Sequence, residues 1–311
     1  MSLSEAVGLS VAYAGIPALS GIDFSVEARE TIAIVGESGC GKSTLGRALL
    51  RLEPPAAGTV RFRGEDLAAL SAGAMRRRRR SMQMMFQDPY ASLNARMTIG
   101  ETLAEPLVVH GMANWRGARA RVADMLARVG LDPAVAGRYP HAFSGGQRQR
   151  IAIARALICG PELVVADEPL SALDITVQGQ ILDLLATLQA GQGFACVFIS
   201  HDLPVVRGIA GRVAVMLGGR IVEQGPPVEV FARPAHPYTR ALRDAVPIPD
   251  PARARAARAP ASAATLSAPP HACPFVNRCP QAAGICAESM PPLRGVGAGR
   301  QAACWMEAPT A

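Results

Sequence analysis

Eight residues constrain this chain more than any others: Gly36-Glu37-Ser38-Gly39-Cys40-Gly41-Lys42-Ser43. They fit the pattern G-x-x-x-x-G-K-[ST] and are followed by Thr44. An apolar, β-branched run at Thr31–Val35 precedes them, and a helical spacing over Thr44–Leu52 follows and stops at Pro54-Pro55. Strand, glycine-rich turn and helix in that order make a phosphate cradle. The glycines let backbone N–H groups turn inward, and the helix aims its positive end at the same point. Lys42 adds a mobile charge, and the Ser43 hydroxyl can ligate Mg²⁺. Composition sharpens the reading, because Lys42 is the single lysine among 32 basic side chains. A compact ammonium and a planar guanidinium are not exchangeable where a point charge must reach a phosphate. The pattern implies that the chain binds a nucleoside triphosphate.

Buried strands are expected again at Leu163–Ala166 and Cys196–Ile199, with a helix over Gln178–Gln189 between them. Alternating strands and helices predict an α/β fold with a mostly parallel sheet. Residues 98–139 read as helical without a comparable strand, which predicts an inserted helical subdomain of about 91–145. At 311 residues and 50% hydrophobic, the chain has room for one large domain and a small appendage. The composition shifts near Pro247, and residues 251–270 hold nine Ala and four Pro, a linker composition. No apolar run is long enough to span a membrane, and the N-terminus lacks the features of a secretory signal, so the cytoplasm is the expected compartment. Aromatics are only 5%, which argues against a base-stacking platform. The net charge of +7 includes the run Arg76–Arg80, read as a solvated face. No nucleic-acid partner is expected.

Two further motifs carry chemistry. The strand at Leu163–Ala166 runs into Asp167 and Glu168, whose side chains point in different directions because strand residues alternate. One carboxylate can hold the Mg²⁺ shell while the other faces an attacking water as general base. Ser144-Gly145-Gly146-Gln147 opens an expected helix over Gln147–Ile158, with Ser144 as its N-cap. A hydroxyl, bare amides and a helix dipole make a second anion site. One chain does not need two cradles for one nucleotide, so the second is expected to close on the γ-phosphate held by another subunit.

With these motifs the chain resembles the ATP-binding subunits of ABC transporters over roughly residues 7–240. The resemblance supplies a Walker A loop at 36–43, a signature at 144–147 and a Walker B strand at 163–168. It also supplies a Q-loop glutamine at Gln87, a D-loop ending at Asp174 and a switch histidine at His201. It implies a P-loop NTPase of the α/β class: an ATPase domain over 1–230 and an extension over 231–311 with a cysteine-rich tail at 271–311. It implies ATP and Mg²⁺, the metal held through Ser43, Gln87 and Asp167. Glu168 is then the general base and His201 grips the γ-phosphate and the water. Gln87 reports nucleotide state to a membrane subunit, Asp174 shapes the dimer interface and Tyr13 stacks on adenine.

Details narrow the resemblance. The Gly-Glu-Ser-Gly-Cys-Gly loop, the Phe86–Asn94 segment and Ala235-His-Pro-Tyr-Thr-Arg-Ala-Leu242 are similar to the ATPases of dipeptide, oligopeptide and nickel importers. The match departs at Ala95, where relatives usually carry Pro. The implied partners are a second ATPase subunit, identical or paralogous, two membrane permeases and an extracytoplasmic solute-binding protein. The implied location is the cytoplasmic face of the cell membrane, as a peripheral subunit. The transported solute, whether peptide, nickel, glutathione or opine, is not written in these motifs. A soluble ABC-type ATPase of translation or DNA repair is the alternative, disfavoured by the single ATPase domain and the absence of a heptad array. Cys40 sits near a helix N-terminus, which is expected to lower its thiol pKa, although a small filler is the plainer role. Cys273, Cys279, Cys286 and Cys304 lack the paired spacing of zinc ribbons. They are similar to the tail of peptide-importer ATPases, some of which hold a [4Fe–4S] cluster; free thiols and zinc stay open.

Overall fold

The computed structural model describes residues 2–88, 92–171, 173–246, 269 and 271–306. Apart from residue 269, the expected Ala/Pro linker lies outside them. Among the described residues the strands form two sheets. The first is antiparallel, in the order β2 (Ile16–Val26), β1 (Ser4–Tyr13), β4 (Ala57–Phe62) and β5 (Glu65–Asp66). The second has eight strands. Its parallel part runs β9 (Arg212–Leu217), β3 (Thr31–Val35), β8 (Ala195–Ile199), β7 (Leu163–Asp167), β6 (Met82–Met85). Beyond β9, three antiparallel strands extend it: β10 (Arg220–Gly225), β12 (Gln301–Ala302) and β11 (Arg294–Gly295). The fold is therefore the expected mostly parallel α/β P-loop arrangement. One antiparallel region is a separate sheet and the other is joined to the main one.

The parallel strands are buried on both faces, which is why they read as continuous apolar runs rather than as alternation. Successive side chains still serve different cores. Ile32 and Ile34 join the cluster shared with the antiparallel sheet and with α1 (Lys42–Leu49), while Ala33 and Val35 face the cluster under the C-terminal elements. Val164 and Ala166 enter a third cluster with the helices Ile99–Val109, Ala118–Arg128 and Gly145–Leu157. Among the described residues, 98–139 hold helices and 3₁₀ turns and no strand, as expected.

Helix boundaries moved for local reasons. The helix after the glycine loop starts at Lys42, because Gly41 takes the left-handed conformation at its N-cap, and it ends at Leu49 rather than Leu52. Arg51 has φ 50°, which helical continuation cannot use. The helix Ile175–Gln192 is wider at both ends than expected, and Gly193 closes it in the left-handed region at φ 73°. Among the described residues no helix is long and apolar enough to cross a membrane.

Candidate functional site

Parallel strands end at one edge of the sheet, and the loops that leave them meet there. In sheet order β3, β8, β7, β6, those loops carry the Gly36–Ser43 turn, His201, Glu168 and Gln87. Two glycines of the turn are dictated by close approach. A Cβ at Gly36 would lie 2.2 Å from the Met216 carbonyl oxygen, and one at Gly41, where φ is 103°, would lie 2.7 Å from that of Ala18. Lys42 is 5% exposed, and its ammonium donates to the carbonyls of Gly36 and Glu37 at 2.9 Å each. Glu37, Ser38 and Gly39 form the exposed lip of the turn.

Ser43 Oγ donates to Asp167 Oδ1 at 2.7 Å. Burial pushes the Asp167 carboxyl up, and the Ser43 hydrogen bond opposes that push. A hydroxyl beside a carboxylate at the mouth of a phosphate cradle suits a hard cation that keeps several waters and phosphate oxygens, so the residues present fit Mg²⁺. Of the three expected ligands, Ser43 and Asp167 are in direct contact. Gln87 instead donates from Nε2 to Glu168 Oε2 at 3.1 Å.

Glu168 leaves the strand in the left-handed region at φ 44°, while its own N–H donates to the Ile199 carbonyl at 3.1 Å. That conformation costs a non-glycine residue about 1–3 kcal/mol, and such strain is held where the surroundings over-determine it. His201 Nδ1 lies 3.5 Å from the second Glu168 oxygen, and the imidazole is 66% exposed. Glu168, Ser171, Ser200 and His201 line a pocket of about 80 Å³. A carboxylate flanked by an amide and an imidazole can accept a proton from a water held between them.

The Ser144 turn is built as expected. Ser144 N–H donates to Gln147 Oε1 at 3.0 Å and Gln147 N–H to Ser144 Oγ at 3.4 Å, a reciprocal capping box on the helix Gly145–Leu157. A Cβ at Gly146 would sit 2.8 Å from Val177 Cγ1, so glycine lets the helix Ile175–Gln192 pack close. No hydrogen bond among the described residues joins this turn to the Gly36–Ser43 loop of the same chain. Asp174 is the exposed N-cap of the helix Ile175–Gln192, and Ile175 beside it is 87% exposed. Gln178 holds the preceding loop by donating to the carbonyls of Leu170 and Leu173 at 3.2 and 3.1 Å. Tyr13 stands at the β1–β2 hairpin, 42% exposed.

For Cys40 the filler role holds and the expected lowering of its thiol pKa does not. Burial raises its thiol pKa, and the nearby Lys42 only partly offsets this. At 5% exposed, and touching the space a Gly36 side chain would need, Cys40 is a filler. Cys273, Cys279, Cys286 and Cys304 line a common cavity, and burial raises the Cys273 thiol pKa, with its three cysteine neighbours adding to the rise. Among the described residues, however, no three His, Cys, Asp or Glu side chains are grouped to hold a metal ion. The expected [4Fe–4S] cluster thus has no support from this arrangement. The Arg76–Arg80 run is partly tied down: Arg76 donates to the Val109 carbonyl at 3.1 Å, and Arg78 pairs with Glu65.

Sequence reasoning missed two residues that reach the loop from the extension, Tyr238 and Arg278. Tyr238 stood inside a motif noted only as a mark of resemblance, and Arg278 carried no signal.

Comparison with known proteins gives the family. The family described as "ABC transporter" matches residues 19–171, and "Oligopeptide/dipeptide transporter, C-terminal region" matches residues 222–286. A probable peptide ABC transporter ATP-binding protein of Sinorhizobium fredii is 50% identical, covering 95% of this chain and 84% of its own length. The di/tripeptide transport ATP-binding protein of Pseudomonas aeruginosa is 47% identical, covering 96% and 92%. Among solved structures, an ABC transporter component of Clostridium perfringens superposes with a TM-score of 0.68 at 30% identity, covering 75% of this chain and 91% of that one. A dimeric ATP-binding cassette bound to ADP and phosphate gives a TM-score of 0.65 at 28% identity, covering 72% and 98%. The chain belongs to the ATP-binding subunits of ABC transporters.

Proposed function

We propose that this chain hydrolyses ATP to power the import of peptides through an ABC transporter. The observation that carries the reading is the meeting of the phosphate loop, the Ser43–Asp167 pair and the Gln87–Glu168–His201 group at one sheet edge. Relatives named for peptide transport, similar along almost the whole chain, support the solute class. In this reading Gly36–Thr44 cradle the triphosphate, Tyr13 stacks on adenine, and Ser43 and Asp167 hold Mg²⁺ with Gln87 beside them. Mg²⁺ supplies charge neutralisation on the transferring phosphoryl group. Glu168 takes the proton of the attacking water, and His201 and Gln87 orient that water. The rest is positioning and charge stabilisation.

Ser144–Gln147 serve the nucleotide of a second ATPase subunit, and Asp174 lies at the interface. The capped, exposed turn, unattached to its own chain's loop, supports this pairing. Two permeases complete the assembly, with a solute-binding protein acting through them and the ATPase pair on the cytoplasmic face of the membrane. A groove of about 570 Å³ runs beside the Q-loop, lined by Leu52, Met84, Phe86, Val109 and Arg155 among others. It suits a cytoplasmic helix of a permease, whose movement Gln87 would sense. Residues 1–230 are the ATPase domain, with the helical subdomain at about 91–145, and 231–311 are the importer-type extension.

Replacing Glu168 with Gln keeps ATP binding, lowers turnover roughly 10²-fold or more and accumulates a closed dimer. Parental turnover in that variant would overturn the base assignment. The [4Fe–4S] reading of the tail rests on the family resemblance alone. It predicts brown protein with about four iron atoms per chain after anaerobic purification. Colourless protein with reduced thiols overturns it.

A further inference from the structure

Every polar group of Glu37, at the lip of the nucleotide loop, is engaged. Its carbonyl accepts from Lys42 Nζ at 2.9 Å. Its N–H donates to the hydroxyl of Tyr238 at 2.8 Å, across 201 residues of sequence. Its carboxylate is held by both arms of the Arg278 guanidinium, at 2.9 and 3.1 Å. The last two partners come from the C-terminal elements. Tyr238 lies in the helix Pro237–Asp244 and is 1% exposed. Arg278 ends the 3₁₀ turn Val276–Arg278.

Both partners are rigidly mounted. The Tyr238 ring meets Phe275 edge-on with centroids 5.5 Å apart, and its N–H donates to His236 Nδ1 at 3.0 Å. The Arg278 guanidinium lies 5.1 Å from the centroid of Phe275 and 6.0 Å from that of Tyr238. A second route joins the same elements to the loop. A Cβ at Gly218 would lie 2.8 Å from Pro274, and the next residue, Gly219, donates its N–H to the Cys40 carbonyl at 3.0 Å. Packing of the tail thus bears on the loop at two points, Glu37 and Cys40. The chemistry matters as much as the mounting. A free carboxylate at the lip would repel an incoming triphosphate, and a forked guanidinium neutralises it while fixing its position.

We propose that Tyr238 and Arg278 are positioning residues for the nucleotide: they lock Glu37 so that the phosphate loop is pre-shaped and its acidic lip neutralised, which sets the affinity for ATP. This deepens the ATPase reading and rests on it. Because the loop's partners act before chemistry, their loss is expected in KM while kcat holds.

The test is a double-mutant cycle on the full chain assembled with its partner ATPase and permeases, with thermal unfolding followed in parallel. Arg278→Ala should raise KM for ATP roughly five- to tenfold with kcat within about twofold. Arg278→Lys, which keeps the charge without the fork, should fall between it and the parent. Tyr238→Phe, which keeps the ring, should raise KM about two- to fourfold. In a Glu37→Ala background, Arg278→Ala should add less than about twofold, since its effect passes through Glu37. A merely structural role predicts additive effects and a loss of kcat with unfolding temperature. KM unchanged in Arg278→Ala and Tyr238→Phe, or an additive cycle, overturns the proposal. Absence of ATP turnover in the parent assembly would instead overturn the ATPase reading itself.

Discussion

Gly46 and Gly73 are both glycines within helices, yet their surroundings call for opposite responses to one added methyl. At Gly46, on the helix after the phosphate loop, a Cβ would lie 2.7 Å from Val165 Cγ1 and 2.9 Å from Ile199 Cδ1. Both neighbours are branched side chains of buried strands and cannot move aside. Gly46→Ala should therefore lower stability by about 1–3 kcal/mol through overpacking and displace the helix that carries Lys42 and Ser43. At Gly73, in Ala72–Arg79, the nearest atom is the Arg77 guanidinium at 3.9 Å. There the methyl only removes unfolded-chain freedom, and Gly73→Ala should raise stability by about 0.5–1 kcal/mol. Urea midpoints for the two variants check the pair; the same sign for both would contradict the packing. This scale also marks where sequence reading works. Lys42, Glu168 and Ser144 were legible because each sits at a fixed offset in a local motif, Lys42 and Glu168 just after a strand and Ser144 at a helix N-cap. Tyr238 and Arg278 were not, because their link to Glu37 is made only by folding segments some 200 residues apart.

Among the elements, the extension shows how a local motif is held. Glu223 on β10 is fully buried and accepts from the N–H groups of Ala235 and His236 at 2.9 Å each, which fixes the start of the helix Pro237–Asp244. His236 is 1% exposed, and burial lowers its pKa to about 4. The unfolded chain takes up this proton near the ordinary histidine value, so between about 6.5 and 4 the unfolded state binds more protons. Stability should accordingly fall as pH drops through that window, by roughly 3 kcal/mol from this group at its lower end. Glu223 acts with the opposite sign, because burial raises its pKa and it gains its proton more readily in the folded state. The thiol of Cys273, 3.9 Å from His236 Nε2, stays protonated throughout, its pKa raised by burial. His236→Asn, whose Oδ1 keeps an acceptor at the Nδ1 position for the Tyr238 N–H, should flatten the dependence. Unfolding midpoints at pH 7 and 5 read the difference, and an unchanged slope would remove His236 from the account. Element types were read correctly from apolar runs and periodicity, but boundaries were not. The turn conformations at Gly41 and Arg51 decide where the first helix begins and stops, and no side-chain pattern encodes Arg51 in the left-handed region.

At the scale of the whole molecule, the two proposed anion sites of one chain lie at different places: the loop at Gly36–Ser43 and the capped turn at Ser144–Gln147. In the proposed two-fold pair each chain's turn would face its partner's loop, and an isologous interface would repeat that contact twice. The exposed Asp174 and the 87% exposed Ile175 lie beside the turn, on the helix that Gly146 lets approach, and give that surface an apolar anchor. This geometry makes a prediction that no single-chain site can mimic. Lys42→Ala removes the loop's ammonium and Ser144→Arg fills the turn, so each variant alone has two damaged sites per pair and should be inactive. In an equimolar mixture of the two, half the pairs are mixed, and each mixed pair has one site with both damaged parts and one with neither. If two copies of this chain pair, turnover in the mixture should recover to about a quarter of the parental value. Variants that stay inactive on mixing, while each still forms pairs with the parent, would show that the two cradles do not serve one shared nucleotide. Both proposed cradles are legible in the sequence, since each is local, but the surface on which they would meet belongs to neither chain alone.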